Sequence, residues 1–302
     1  MLLFIISSLR HRSGDFPCVW RRLSLTSTIF DLNSLMKVAI LGGGQLGRAL
    51  QKQNPDWVVF RGYNILRPAS VRLYCHHNLS EFDVIINTIA QTDTRQCEID
   101  SIQYSTDSFR INSVFPQALS RFCNSTRKKF VHISTGCVYR EFTPDGEISL
   151  CREEDCVDPL TTYALQKYYA EKSLQPNDLI IRGRLFFGEE ESNSNLITKL
   201  KKFKTFSTVK NSMSSVHTIS DVLPKLIHSD AKGIYNVVNS SAMSLYELAN
   251  LVGLSGEPYD PKPGEYRAPN LQLSFFKLLK MGITTPRLED EFVRCWNNYK
   301  SL

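Results

Sequence analysis

Residues 37–48 read KVAILGGGQLGR, and the fold turns on how that stretch is understood. "VAIL" (38–41) is a short apolar run of strand length, Gly42, Gly44 and Gly47 follow it in G-x-G-x-x-G spacing, and "QLGRALQKQ" then continues as a helix. The glycines permit a tight turn and a close approach of backbone to a pyrophosphate. The helix that opens there leaves free N–H groups and a positive dipole end facing the same anion. Gly42, Gly44, Gln45, Leu46, Gly47 and Arg48 are therefore the expected dinucleotide-binding residues.

Downstream the strand–helix rhythm repeats. "WVVF" (57–60) and "DVIINT" (83–88) read as buried strands, and "SFRINSVFPQALSRFC" (108–123) as a helix that Pro116 kinks or delays. "KFVHIST" (129–135), a helix over about 161–173 and "DLIIRG" (178–183) follow. Short apolar runs alternating with helices predict an α/β fold, a Rossmann-type doubly wound parallel sheet. After about residue 188 the rhythm changes. A polar loop, a helix at "LITKLKKF", a strand at "GIYNVV" (233–238) and an amphipathic helix at "SLYELANLVGL" (244–254) predict a smaller C-terminal substrate-binding lobe, some of whose segments return to the sheet. The expected division is 1–35 as an N-terminal extension, 36–187 as the NAD(P)-binding domain and 188–302 as the substrate lobe.

Upstream, residues 1–35 join a short apolar run to an Arg- and Ser-rich segment, a composition shared by targeting segments and untranslated reading frames. Met36 directly precedes the first strand, which favours Met36 as the natural start. The 302 residues carry a formal charge of +6, and "TRKK" (126–129) is the densest basic run, expected to be a solvated helix end. Nucleic acid is not an expected partner, and no apolar stretch reaches the length of a membrane span. Eight cysteines without a C-x-x-C pair fit a reduced cytoplasmic protein better than a zinc or disulfide framework.

At the end of the second strand, where an acid would hold ribose hydroxyls, the chain has Arg61, and Arg48 follows the third glycine. Guanidinium groups suit a phosphate better than a diol, so NADPH is the expected cofactor, with NADH the alternative. "YALQK" (163–167) sets Tyr163 one helical turn before Lys167, on the same face, where an ammonium lowers the pKa of a phenol. Thr135 ends a strand, the place where open α/β sheets bind ligands, and "NTIA" (87–90) ends the preceding one.

With these motifs in order, the chain from 36 to 302 resembles the extended short-chain dehydrogenase/reductases, and within them the dTDP-4-dehydrorhamnose reductase group. The resemblance implies that Tyr163 donates a proton, Lys167 tunes it and holds the nicotinamide ribose, Thr135 orients the carbonyl and Asn112 supports a proton relay. It also places Asn87 and Ala90 in the cofactor site. The implied activity is NADPH-dependent reduction of a nucleotide-linked 4-keto-6-deoxy sugar, with a homodimer as the conceivable assembly. "TDTRQCE" (92–98) and "LQLSFFKLLKMGI" (271–283) are similar to further segments of that group.

Other positions depart from the pattern. Arg95, Leu185 and "NSMSSVH" (211–217) replace residues of the group's sugar-recognition surface, and Ala49 stands where some members carry a metal-binding glutamate, so no metal is expected. Cys137, two residues after Thr135, keeps open a bifunctional epimerase-reductase in which a thiol is the acid/base. The favoured reading of Cys137 is a small buried residue that fills space beside the sheet. A non-catalytic NADP-binding regulatory subunit is the third reading. His217 is expected at the rim of the cleft rather than among the catalytic groups.

Overall fold

A computed structural model of the protein describes residues 36–61, 68–99, 107–139, 150–260 and 271–299, and the N-terminal extension lies outside them. Residues 36–302 form one compact unit. Six parallel strands make its central sheet: β1 (Val38–Leu41), β2 (Val58–Phe60), β3 (Val84–Asn87), β4 (Lys129–Thr135), β5 (Leu179–Gly183) and β6 (Gly233–Asn236), in the order β2-β1-β3-β4-β5-β6. β6 is the expected return of the C-terminal half to the sheet.

Alternation along the strands builds a core on each face, because successive side chains point to opposite sides. Val38, Ile40, Ile86, Val131 and Ile181 pack on one face with helices α1 (Gln45–Gln53) and α5 (Val216–His228). Ala39, Leu41, Ile85 and Phe130 pack on the other with α2 (Pro68–Asn78) and α3 (Phe115–Ser125). The β2 strand differs from expectation: Val58 is 44% exposed. It lies at the sheet edge, where only one neighbour covers it.

The helix expected over 108–123 opens with an α-turn at Asp107–Phe109, widens to a π-turn at Arg110–Val114 and is α-helical again from Phe115, with Pro116 directly after the widened turn. Proline has no N–H to donate, and the preceding turn is widened, with the Phe115 N–H donating to the Arg110 carbonyl. Helix α4 (Thr162–Ser173) carries Tyr163 and Lys167, and the Thr161 hydroxyl caps it by accepting from the Ala164 N–H at 3.1 Å. In the C-terminal half, α6 (Leu245–Leu251) begins with a capping box between Ser244 and Glu247. It packs through Leu248 on a separate core that includes Phe187, Phe206 and, from α7 (Leu288–Asn297), Phe292.

Candidate active site

The chain leaves β1 for β2 on one side and returns to β3 on the other, so the strand order reverses between β1 and β3. Ligands of open sheets bind outside the strand C-termini at such a switch point. The glycine turn lies there. Gly42 has φ +117°, a conformation that side chains other than glycine's rarely adopt, and a Cβ on Gly47 would sit 1.9 Å from the Gly42 carbonyl oxygen. A Cβ on Gly44 would meet nothing within 4 Å, which leaves open space above the start of α1. Gly44 caps that helix without a side-chain bond, so the turn and the helix end fit a pyrophosphate. Thr88 Oγ1 steadies the turn by donating to the Leu41 and Gly42 carbonyls at 3.0 and 3.2 Å.

The remaining expected cofactor residues divide. Leu46 packs against the core of the sheet. Gln45 is buried, with neither amide atom hydrogen-bonded. The Arg48 guanidinium donates to the Gly43 carbonyl at 2.8 Å and to Glu190 at 2.7 Å, whereas Arg61 is exposed and lies against Gly43. Arg61 is thus the guanidinium presented at the mouth of the turn. Ala90 is half-buried just beyond β3. The Asn87 side chain is fully buried, its Oδ1 accepting from the Ile89 N–H at 3.1 Å and its Nδ2 lying 3.2 Å from His132 Nδ1.

Across the crevice, Thr135 at the end of β4 lies beside the Tyr163 phenol, and its Oγ1 accepts from the Cys137 N–H at 3.2 Å. Burial raises the phenol above its ordinary range; Cys137 and Cys97 push the same way, and the Thr135 hydroxyl opposes them. Lys167, fully buried one turn along α4, donates to the Ile133 carbonyl at 2.8 Å and stands 3.0 Å from His132 Nε2. Burial lowers its pKa to about 7, with Glu171 opposing. Asn112 sits in the π-turn, a local distortion found often at functional sites. Its side chain accepts from the Gln91 N–H at 2.9 Å and donates to the Gln91 carbonyl at 3.0 Å and to Gln166 Oε1 at 2.9 Å. It thereby ties the loop after β3 to the helix that holds Tyr163.

Four supporting residues are given no role by the motifs, although Glu98 closes the "TDTRQCE" segment. Glu98 holds the start of α4, accepting from the Thr162 N–H at 2.9 Å and from its hydroxyl at 2.6 Å. Glu171 forms a buried ion pair with Arg182 at 2.6 Å and accepts from Ser134 at 2.5 Å. Arg184 donates to Cys137 Sγ at 3.0 Å and to Asn211 Oδ1 at 2.8 Å. His132, with no exposed surface, is the fourth. A polar residue inside an apolar strand such as "KFVHIST" is the one available signal, since a buried histidine needs partners.

A cluster of Glu189, His217 and Cys295 brings three possible ligand atoms within 4.8 Å of one another. The Arg294 guanidinium already bonds Glu189 at 2.6 Å and Glu291 at 2.7 Å, and burial pushes the Cys295 thiol up to about 12. A cation is therefore built in, and we assign no metal there. Among the described residues no helix is long and apolar enough to cross a membrane.

A glycine turn at the switch point of a six-stranded parallel sheet, with a threonine–tyrosine–lysine set at the same end, makes the chain an α/β protein of Rossmann type. The RmlD substrate binding domain family matches residues 36–260, and the chain belongs to that family. Among solved structures, the dTDP-4-dehydrorhamnose reductase of Clostridium acetobutylicum superposes with a TM-score of 0.73 at 22% identity, covering 87% of this chain and 99% of that one. The dTDP-4-dehydrorhamnose reductase of Bacillus anthracis, in complex with NADP, gives 0.73 at 20% identity over 87% and 99%. The UDP-rhamnose synthase of Acanthamoeba polyphaga mimivirus gives 0.73 at 18% over 87% and 99%. At such identities the likeness carries the fold. No curated protein sequence matches the chain.

Proposed function

We propose that the protein is an NADPH-dependent reductase of a nucleotide-linked 4-keto-6-deoxy sugar, of the dTDP-4-dehydrorhamnose reductase type. The observation that carries this reading is that Thr135, at the C-terminal end of β4, lies beside the Tyr163 phenol, with Lys167 one helical turn away and the glycine turn at the same end of the sheet. Gly42, Gly44 and Gly47 would hold the pyrophosphate, and Arg61 a 2′-phosphate. When bound, NADPH supplies the hydride. Thr135 offers its hydroxyl to the ketone oxygen, and Tyr163 gives its proton to that oxygen as it becomes an alkoxide. Lys167 and Asn112 complete the relay that restores the phenol's proton. Residues 188–302 form the sugar side of the cleft, a homodimer is the assembly, and the seven free cysteines among the described residues suit the reducing cytoplasm.

The test is NADPH oxidation by residues 36–302, offered the 4-keto-6-deoxy sugars of dTDP, UDP and GDP. Turnover with one of them names the nucleotide. NADPH binding without turnover on any of the three sinks the reductase reading and favours a regulatory NADP-binding subunit. One contact favours a second reading, the bifunctional epimerase-reductase. The Arg184 guanidinium on Cys137 Sγ sets a cation beside a half-buried thiol two residues from Thr135, the setting in which a thiol exchanges a proton with a carbon acid.

A further inference from the structure

His132 lies beneath the site as the middle member of a fully buried chain, Asn87–His132–Lys167. The backbone decides which way that chain runs. Ile89 N–H donates to Asn87 Oδ1 at 3.1 Å, which fixes the amide with Nδ2 toward the imidazole. Turning the amide over would leave a buried N–H group facing an N–H donor. Asn87 Nδ2 therefore donates to His132 Nδ1, and a neutral imidazole that accepts at Nδ1 must carry its proton on Nε2. That Nε2–H points at Lys167 Nζ, 3.0 Å away, and needs a lone pair there. An ammonium has none, whereas an amine has one and still donates to the Ile133 carbonyl at 2.8 Å.

We infer that His132 is a positioning residue of the reductase site: the Asn87 amide holds it as the Nε2–H tautomer, so that it donates to Lys167 Nζ and keeps this lysine an amine in the cofactor-free protein. The inference rests on the reductase reading of Tyr163 and Lys167. Protonating the lysine requires His132 to move its proton to Nδ1 and Asn87 to turn over, which breaks the bond to Ile89. The charge on Lys167 is thus coupled to the turn after β3, at the edge of the dinucleotide crevice.

The groups around the lysine are consistent with an amine. Tyr163 and Glu171 lie on its own helix, His132 on β4 and Arg182 on β5. The Glu171 carboxylate, the one anion among them, is engaged by Arg182 through bonds of 2.6 and 3.1 Å and by Ser134. Burial depresses both Lys167 and His132, in the direction the hydrogen bonds require.

The first test is ¹⁵N NMR of the histidine rings in the cofactor-free protein at about pH 8, assigned through the backbone. The expected His132 spectrum has a protonated Nε2 and a bare Nδ1. A proton on Nδ1 overturns the inference whatever the activity, so its failure is distinct from that of the reductase reading. The second test is the pH profile of kcat/KM for NADPH, which reports groups of the cofactor-free enzyme, in His132→Gln, whose carbonyl oxygen can accept from an ammonium. The alkaline limb of the profile moves up by about one pH unit or more. A histidine that only fills space lowers the plateau and leaves the limb in place, and that outcome also overturns the inference.

Discussion

Arg184 places Nη1 3.0 Å from the sulfur of Cys137, while its Nε and Nη2 both hold Asn211 Oδ1. The guanidinium is buried and pinned from two sides, so the cation is fixed beside the thiol. If the protein only reduces a ketone, Cys137→Ser keeps NADPH turnover close to wild type. If it also epimerises, the same variant abolishes exchange of the hydrogen next to the ketone with solvent deuterium, read by mass spectrometry of the sugar.

Tyr163→Phe removes the proton donor but leaves the glycine turn intact. Turnover is expected to fall by about 10²–10⁴-fold, the range for a general acid, with NADPH affinity unchanged by fluorescence titration. A loss of less than about tenfold assigns the proton to another group.

Stability of the cofactor-free protein rises with pH between about 7 and the usual lysine value near 10.4. In that window the unfolded chain holds a proton on Lys167 that the folded protein lacks, so unfolding becomes harder as pH increases. The slope from this single group is at most about 1.4 kcal/mol per pH unit. Urea midpoints at pH 7 and pH 9 measure it, and Lys167→Met, which has no charge to bury, flattens the difference.

Glu171→Gln leaves the Arg182 guanidinium buried without its anion. Breaking one partner of a buried pair costs about 3–5 kcal/mol, expected as a matching loss in urea unfolding. The variant also lowers the Lys167 pKa further, since Glu171 is the group that raises it.

Gly47→Ala puts a methyl group 1.9 Å from the Gly42 carbonyl oxygen, a backbone atom that cannot swing aside. The turn must open, and NADPH affinity is expected to fall about tenfold or more, equivalent to ~1.4 kcal/mol. Isothermal titration gives the number directly.

The strands, the glycine turn and the helical pairing of Tyr163 with Lys167 are legible in the chain because they rest on local periodicity and on residue types that few conformations accept. Gly42, Gly44 and Gly47 announced a turn from their spacing alone, and "YALQK" set its two side chains on one face by helical geometry. The groups that surround that pair are set by packing between distant elements. His132 is 35 residues from Lys167 and 45 from Asn87, and Arg184 is 47 from Cys137. Nothing in the neighbourhood of one sequence position specifies such partners. They meet because β3, β4 and β5 lie side by side in the sheet, with α4 packed on β4, and buried polar groups must then find one another.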